Sequence, residues 1–272
     1  MRCSASHSNP RDYSSYKVQD ACIIAERHGY RWIWNDGCCI DKTSNSELSE
    51  AINSMSSYYA RSEVCYAYLK DVHPDPGHSR CCSASRASVW FKRGWTLQEL
   101  LAPEDVVFLA WDWSIIGTKA GLSEELERIT MVPQSALRLE EDIWIVSVAQ
   151  RMSWAAHRAT TRPEDEAYCL MGIFDINMPP LYGEGRNAFC RLQEEIMRKS
   201  IDTSLFARSV RPWHRTSGKI VASWPRDDHL EYDERSLLAP GPARFFSSRG
   251  PLPSSSVFSL CFVETEVFER QP

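Results

Sequence analysis

The sequence predicts an α/β protein whose parallel strands alternate with helices, followed by a helical module and an irregular tail. Short β-prone runs alternate with helical patterns up to about residue 115, and only helical patterns follow to about residue 207. The 272 residues, 43% hydrophobic and 25% charged, are sufficient for a sizeable core. We therefore divide the chain into four parts. Residues 1–15 form a disordered start and 16–115 the α/β unit. Residues 116–207 form the helical extension, and 208–272 an irregular or truncated segment.

The first elements follow from apolar spacing and from capping residues. A helix begins near Tyr16 and ends at Gly29, a residue type that favours helix C-termini. The aromatic run 30–34 then predicts a short buried strand, and residues 35–42 form a turn-rich loop. The sequence thus predicts a helix that leads into a strand.

The next helix is introduced by Ser44 and Glu47, which have the spacing of a capping box. Its apolar face holds four residues, Leu48, Ile52, Met55 and Tyr59. A second strand, 64–69, follows, and the Pro- and Cys-containing loop 71–85 is expected to be exposed and mobile.

The run 88–103 predicts one helix that Pro103 ends. Helical spacing places Lys92, Trp95 and Glu99 on one face at i, i+3 and i+7, while the leucines of the run pack inward. Residues 105–111 predict a third strand. A cation, an indole and a carboxylate are therefore expected on one surface.

The loop after the first predicted strand carries charged candidates for ligand binding. In parallel sheets, ligands bind outside the carboxyl ends of the strands, where Asp36, Asp41 and Lys42 are expected. Lys42 is suited to a phosphate and an aspartate to a ribose hydroxyl, whereas ordinary turn chemistry also accounts for these aspartates. Cys38 and Cys39 are interpreted as buried thiols rather than nucleophiles.

The extension predicts several short helices. These span 123–129, 147–158 and 185–199, with a further helix introduced by a capping box of Thr161 and Glu164. Asp165 and Glu166 suit the positive end of that helix, so the whole charge set is interpreted as structural. Beyond residue 208 only short β-prone runs remain, such as 219–223 and 257–263.

Charge and cysteine content restrict the partners and the compartment. A net charge of −5 without a basic block argues against nucleic acid binding, and no run is long and apolar enough to span a membrane. The ten cysteines have no Cys-x-x-Cys pair, and the group of His73, His78 and adjacent Cys81 and Cys82 lacks zinc-ligand spacing. We expect reduced thiols, no metal, and a cytoplasmic protein.

Several words of the sequence resemble the fungal heterokaryon (vegetative) incompatibility domain, in the order of that family. In the α/β unit these are Trp34-Asn-Asp-Gly-Cys-Cys-Ile-Asp-Lys42, 47–55, Cys65-Tyr-Ala-Tyr-Leu69 and Arg93-Gly-Trp-Thr-Leu-Gln-Glu-Leu-Leu-Ala-Pro103. Further words at 147–155, 162–174, 181–185 and 237–246 resemble the segments that follow the domain. The resemblance covers about residues 16 to 246.

The resemblance implies a fold, a role and an acid. The domain is similar to Toll/interleukin-1 receptor domains, which implies a flavodoxin-like parallel sheet; some of those domains hydrolyse NAD. The word Trp95-Thr-Leu-Gln-Glu-Leu100 matches their catalytic word and places Glu99 at the acid, with Trp95 as a stacking surface. The family acts in non-self recognition that ends in programmed cell death, which implies Toll-like self-association or an incompatibility partner.

One departure keeps three functions open. The family's usual opening strand is not found before Tyr16, so the sheet is expected to be N-terminally incomplete. The alternatives are a signalling module for incompatibility, an NAD-cleaving hydrolase with Glu99 as its acid, and an inactive truncated remnant. No bound cofactor is expected, and NAD is the substrate of the second alternative. The alternative for Glu99 is an ordinary helix residue exposed to solvent.

Overall fold

The computed structural model describes residues 14–74, 86–206, 214–216, 219–221, 242 and 260–262. The helices run in the order α1 Tyr16–Arg27, α2 Asp36–Cys39, α3 Asn45–Ala60, α4 Thr96–Leu101, α5 Ser123–Thr130, α6 Gln134–Leu137, α7 Val148–Ser153, α8 Asp165–Tyr168, α9 Met171–Phe174 and α10 Asn187–Lys199. The strands are β1 Val64–Tyr68, β2 Val106–Leu109, β3 Ile115–Thr118, β4 His214–Thr216, β5 Lys219–Val221 and β6 Leu260–Phe262. The expectations for 1–13 and 75–85 lie outside the described residues.

A four-stranded sheet in the order β3-β2-β1-β6 forms the centre of the α/β unit. Strands β1 and β2 are parallel, with Cys65 opposite Val106, as a strand-helix-strand connection requires. Strands β3 and β6 pair antiparallel at the two edges. The sheet is therefore mixed, and the flavodoxin-like architecture stays a prediction.

Alternating side chains of β1 face two different helical layers. Val64 and Tyr66 pack with Ala21 and Ala25 of α1 in a small cluster. Cys65 and Ala67 belong instead to the main core, which also contains the apolar faces of α3, α4 and the helical extension. The α/β unit and the extension thus share one hydrophobic core.

Several predicted elements are confirmed with shifted ends. Helix α1 begins at Tyr16, and Gly29 follows it with φ +88°, the left-handed conformation expected after a helix. The apolar face of α3 is buried as predicted, and Ser44 Oγ accepts a hydrogen bond from the Glu47 amide at 3.4 Å. Glu47 Oε1, however, accepts from the Asp41 amide at 2.8 Å, so the capping box is not reciprocal. Helices α5, α7 and α10 lie within or close to their predicted ranges.

The predicted strand at 30–34 is wrong. Apart from an isolated bridge at Trp34, this segment is irregular. Tyr30 and Ile33 pack against the small cluster around α1, and the Trp34 ring lies 5.2 Å from that of Tyr58. The order of the four-stranded sheet does not include this segment, so among the described residues it forms no ladder.

The single helix predicted over 88–103 is also wrong. A 3₁₀ turn, Val89–Lys92, is followed by extended backbone at Arg93 before α4 begins at Thr96. The break lies where Arg93 bridges to Ala159: the Gly94 amide donates to the Ala159 carbonyl (2.9 Å), and the Ala159 amide donates to the Lys92 carbonyl (2.7 Å). Within the described ranges, no helix is long and apolar enough to cross a membrane.

Candidate functional site

A cavity of about 260 Å³ lies between helices α2, α3 and α4 and the helical extension. Its apolar wall comes largely from α3, whereas the remaining wall is rich in charged and aromatic groups. The lining residues that carry ionisable, hydroxyl or indole groups are Asp36, Lys42, Tyr59, Arg93, Trp95, Glu99, Arg162, Asp165 and Tyr182. Such a mixture, an apolar pocket with convergent polar groups, is typical of a ligand site.

Glu99 is the most perturbed acid of this cavity. Its side chain is buried, with 5% of the residue exposed. Tyr59 Oη donates a hydrogen bond to Oε1 at 3.3 Å, while no described residue donates to Oε2. Burial, reinforced by the negative charge of Asp36, raises the pKa of Glu99 to about 8. The prediction that α4 carries an acid into a pocket is supported by this geometry, and the alternative of a solvated helix residue is wrong.

Two arginines influence the charge of this acid. Arg93 and Arg158 both favour the ionised form of Glu99 and partly offset its burial. Arg158 lies behind α4, where Nη1 donates to the Arg93 carbonyl (2.9 Å) and to Thr96 Oγ1 (2.8 Å). Thr96 Oγ1 in turn donates to the Trp90 carbonyl at 2.6 Å. These bonds fix the start of α4 and therefore the position of Glu99.

Trp95 is held by the helical extension. Its indole N–H is hydrogen-bonded to Asp165, whose Oδ1 also accepts from Tyr182 Oη at 3.0 Å. Burial raises the pKa of Asp165, and these two donors oppose the rise. The Arg162 guanidinium lies over the Tyr182 ring, 4.4 Å from its centroid. The extension thus supplies an ordered aromatic and charged wall.

Two of the three charged residues predicted for the loop after residues 30–34 line the cavity. Asp36 and Lys42 both line the cavity and form an ion pair at 3.5 Å. Asp41 does not line it, because Oδ1 accepts from the Thr43 amide (2.9 Å) and Oγ1 (2.6 Å), which lowers the pKa of Asp41. The turn interpretation is therefore correct for Asp41.

Lys92 is the other predicted site residue that the structure does not bring in. It ends the 3₁₀ turn, and the extended Arg93 changes the chain direction before Trp95. Lys92 and Trp95 are consequently not neighbours on one helical face, and it is Arg93 that lines the cavity. The i, i+3 argument fails because it assumed a continuous helix.

The two cysteines beside Asp36 are not among the residues that line the cavity. Cys38 and Cys39 are exposed, so the expectation of buried thiols is wrong. Partial burial and the neighbouring Cys39 and Asp36 nevertheless raise the pKa of Cys38, which disfavours the thiolate. Among the described residues, no group of three or more His, Cys, Asp or Glu side chains has the arrangement of a metal site.

The sequence interpretation missed the contribution of the extension. It assigned Glu164 and Asp165 to helix capping, but Glu164 makes no capping bond and instead accepts from the amides of Gly183 (2.8 Å) and Gly185 (3.0 Å). Asp165 lies in the cavity. The dense charge set at 162–166 was the available signal, and nothing local in the sequence pairs it with Trp95.

Comparisons with known proteins relate parts of the chain to incompatibility proteins. Residues 6–88 match the family model "Heterokaryon incompatibility protein (HET)", and residues 187–262 match a domain of unknown function, DUF8212. The chain is 44% identical over 185 residues to "Vegetative incompatibility protein HET-E-1" of Podospora anserina, an alignment that covers 66% of this chain and 14% of the relative. No solved structure matches. The similarities support a heterokaryon incompatibility protein, and the chain spans only a small part of the curated relative.

Proposed function

We propose that this chain is a heterokaryon incompatibility-type protein that acts in non-self recognition and programmed cell death through protein partners. The match of residues 6–88 and the 44% identity to a vegetative incompatibility protein carry this proposal. Induced expression of the chain in a filamentous fungus is expected to arrest growth and kill cells. Normal growth at a comparable protein level would contradict it.

We further propose a Toll/interleukin-1 receptor-like architecture for the α/β unit. The support is the parallel pair β1 and β2, with α1 on one face of the sheet and α3 and α4 on the other. Self-association through the surfaces of such a unit is the proposed route to signalling. A sedimentation experiment over a range of protein concentrations tests it, since a strictly monomeric chain would remove this route.

One observation favours a second candidate function, the hydrolysis of NAD. Glu99 lines a cavity, is almost completely buried, and has an oxygen to which no described residue donates. Buried acids of this kind are costly to maintain, and perturbed carboxyls concentrate at functional sites. The cations Lys42, Arg93 and Arg162 on the same cavity fit the diphosphate of a dinucleotide.

The proposed reaction breaks the bond between the ribose anomeric carbon and the nicotinamide nitrogen. The bonding electron pair remains on nicotinamide and neutralises its positive charge, while water forms the new bond to the anomeric carbon and releases a proton. An ionised Glu99 would stabilise the positive charge that develops on the ribose or accept the proton of the attacking water. A pKa of about 8 keeps Glu99 largely protonated in the empty pocket at neutral pH, and the cationic nicotinamide ring favours its ionisation.

Incubation of the purified chain with NAD, followed by chromatographic measurement of nicotinamide, tests this function. We expect release by the native chain, a loss of at least 100-fold in Glu99→Gln, and no change in Glu124→Gln, an exposed residue of α5. As the pH increases, kcat/KM should rise with an apparent pKa near 8. The kcat profile should rise in the same way but with a lower apparent pKa, because bound NAD favours the ionised acid. Full activity of Glu99→Gln would exclude Glu99 as the catalytic residue.

A further inference from the structure

The helical extension contributes side chains to a cavity that the family-matched region does not complete by itself. The HET match ends at residue 88, shortly before Glu99. Arg162, Asp165 and Tyr182 lie much farther along the chain and line the same cavity as Glu99. None of the three is part of the word that resembles the catalytic sequence. Their arrangement therefore calls for a separate account.

Asp165 connects the two parts of this cavity. Trp95 belongs to the α/β unit and is hydrogen-bonded to Asp165 through the indole N–H. Tyr182 belongs to the extension and donates a hydrogen bond to Asp165 Oδ1 at 3.0 Å. A carboxyl oxygen that accepts a hydrogen bond restricts the direction of its donor. Two aromatic side chains are thus oriented by one carboxylate.

The position of Trp95 matters because it lies four residues before Glu99. In the turn that leads into α4, residues at i and i+4 lie on one face, and both side chains line the cavity. A fixed indole determines the shape of the wall beside the acid. If its hydrogen bond were lost, the ring would be free to take other rotamers, with a wider pocket as the consequence.

The Tyr182 side is also restrained. Glu164 accepts from the amides of Gly183 and Gly185, which holds the loop after Tyr182 against α8. Arg162 covers the Tyr182 ring at 4.4 Å. Asp165 therefore operates within a segment that is itself well ordered, as a supporting group for a precise site must be.

We propose that Asp165 is a positioning residue of the Glu99 site, which fixes Trp95 and Tyr182 as the walls that hold the substrate. The helical extension is then an obligatory part of the site and not an appended module. This inference rests on the proposed NAD hydrolysis for its kinetic consequence. Its structural consequence, the restraint of Trp95, does not depend on any ligand.

The first measurement uses the complete chain without ligand. In a ¹H–¹⁵N spectrum of tryptophan-labelled protein, the Trp95 indole signal is assigned by its loss in Trp95→Phe. We expect Asp165→Ala to shift this signal and to accelerate its hydrogen exchange at least tenfold, Asp165→Asn to have a smaller effect, and Glu124→Ala to have none. An unchanged Trp95 signal in folded Asp165→Ala would overturn the proposal.

The second measurement separates positioning from a merely structural role. With NAD as substrate, we expect Asp165→Ala to raise KM at least tenfold and to change kcat less than threefold, with partial recovery in Asp165→Asn, which keeps an acceptor oxygen. An unchanged KM in Asp165→Ala would overturn the proposal while the hydrolase function remains. If the native chain does not release nicotinamide, the hydrolase function fails, and the indole measurement alone decides whether Asp165 restrains the cavity wall.

Discussion

Replacement of Glu99 by Gln should remove a large pH-dependent destabilisation of the fold. Burial raises the pKa of Glu99 from 4.5 to about 8. Below pH 4.5 the carboxyl is protonated in both states, and it costs nothing. Between pH 4.5 and 8 the unfolded chain releases the proton and the folded chain keeps it, so stability falls as the pH rises.

The magnitude follows from the size of the displacement. At about 1.4 kcal/mol for each tenfold change in proton affinity, a pKa raised from 4.5 to about 8 corresponds to a loss of about 5 kcal/mol above pH 8. Glutamine is close in shape to a protonated glutamate and does not titrate. The difference in unfolding free energy between Glu99→Gln and the native chain should therefore grow by about 4 kcal/mol from pH 5 to pH 9.

Urea unfolding at a series of pH values measures this difference directly. Contributions from titrating groups that do not interact with Glu99 cancel in the comparison. Glu124→Gln, at an exposed position of α5, serves as the matched control and should follow the native curve in parallel. A difference that stays constant within about 1 kcal/mol from pH 5 to 9 would refute the reasoning, because Glu99 would then titrate as a solvated acid.

Three further predictions concern the surroundings of the site. Glu164→Ala removes the acceptor of two loop amides and should lower the free energy of unfolding by about 2 kcal/mol. Urea unfolding measures this loss, with Glu124→Ala as the control. An equal effect of both variants would contradict the prediction. Gly172→Ala should lower the free energy of unfolding by about 1–3 kcal/mol, because the added Cβ would lie 2.2 Å from a side-chain carbon of α3. In the control Gly121→Ala the nearest atom is 3.2 Å away, so the loss should be smaller. Equal melting temperatures of the two variants would be inconsistent with this packing. Asp41→Ala should leave KM and kcat for NAD within twofold of the native values, since Asp41 binds its own turn; a tenfold change in either would return it to the site.

Local sequence signals predicted much of the fold. The helix from Tyr16, the buried face of α3 and the strands β1 and β2 all follow from residue spacing and end signals, which depend on few neighbours. Failures occurred where tertiary contacts override propensity. The β-prone run 30–34 joins no described ladder, and the pairing of Arg93 with Ala159 interrupts the run 88–103 that the pattern assigned to one helix.

For the site as well, local signals predicted some residues and long-range contacts determined the others. Glu99, Trp95, Asp36 and Lys42 were predicted and do line one cavity, although the helix argument that introduced Glu99 and Trp95 also included Lys92. The sequence did not predict Asp165 as a site residue, because its partner Trp95 is 70 residues away. A carboxylate at the start of a helix also has a sufficient local explanation. Residue type and spacing contain no information about such a long-range hydrogen bond.

The buried protonation state of Glu99 connects the proposed chemistry to the proposed signalling. An empty pocket with a pKa of about 8 holds a largely neutral acid at neutral pH, and a neutral acid neither stabilises an oxocarbenium-like charge nor accepts a proton. A ligand with a cationic ring lowers that pKa, and tighter closure of Arg93 or Arg158 on Glu99 would act in the same direction, because both already favour its ionised form. Ionisation of Glu99 is therefore the step at which the proposed recognition and the proposed hydrolysis would be coupled.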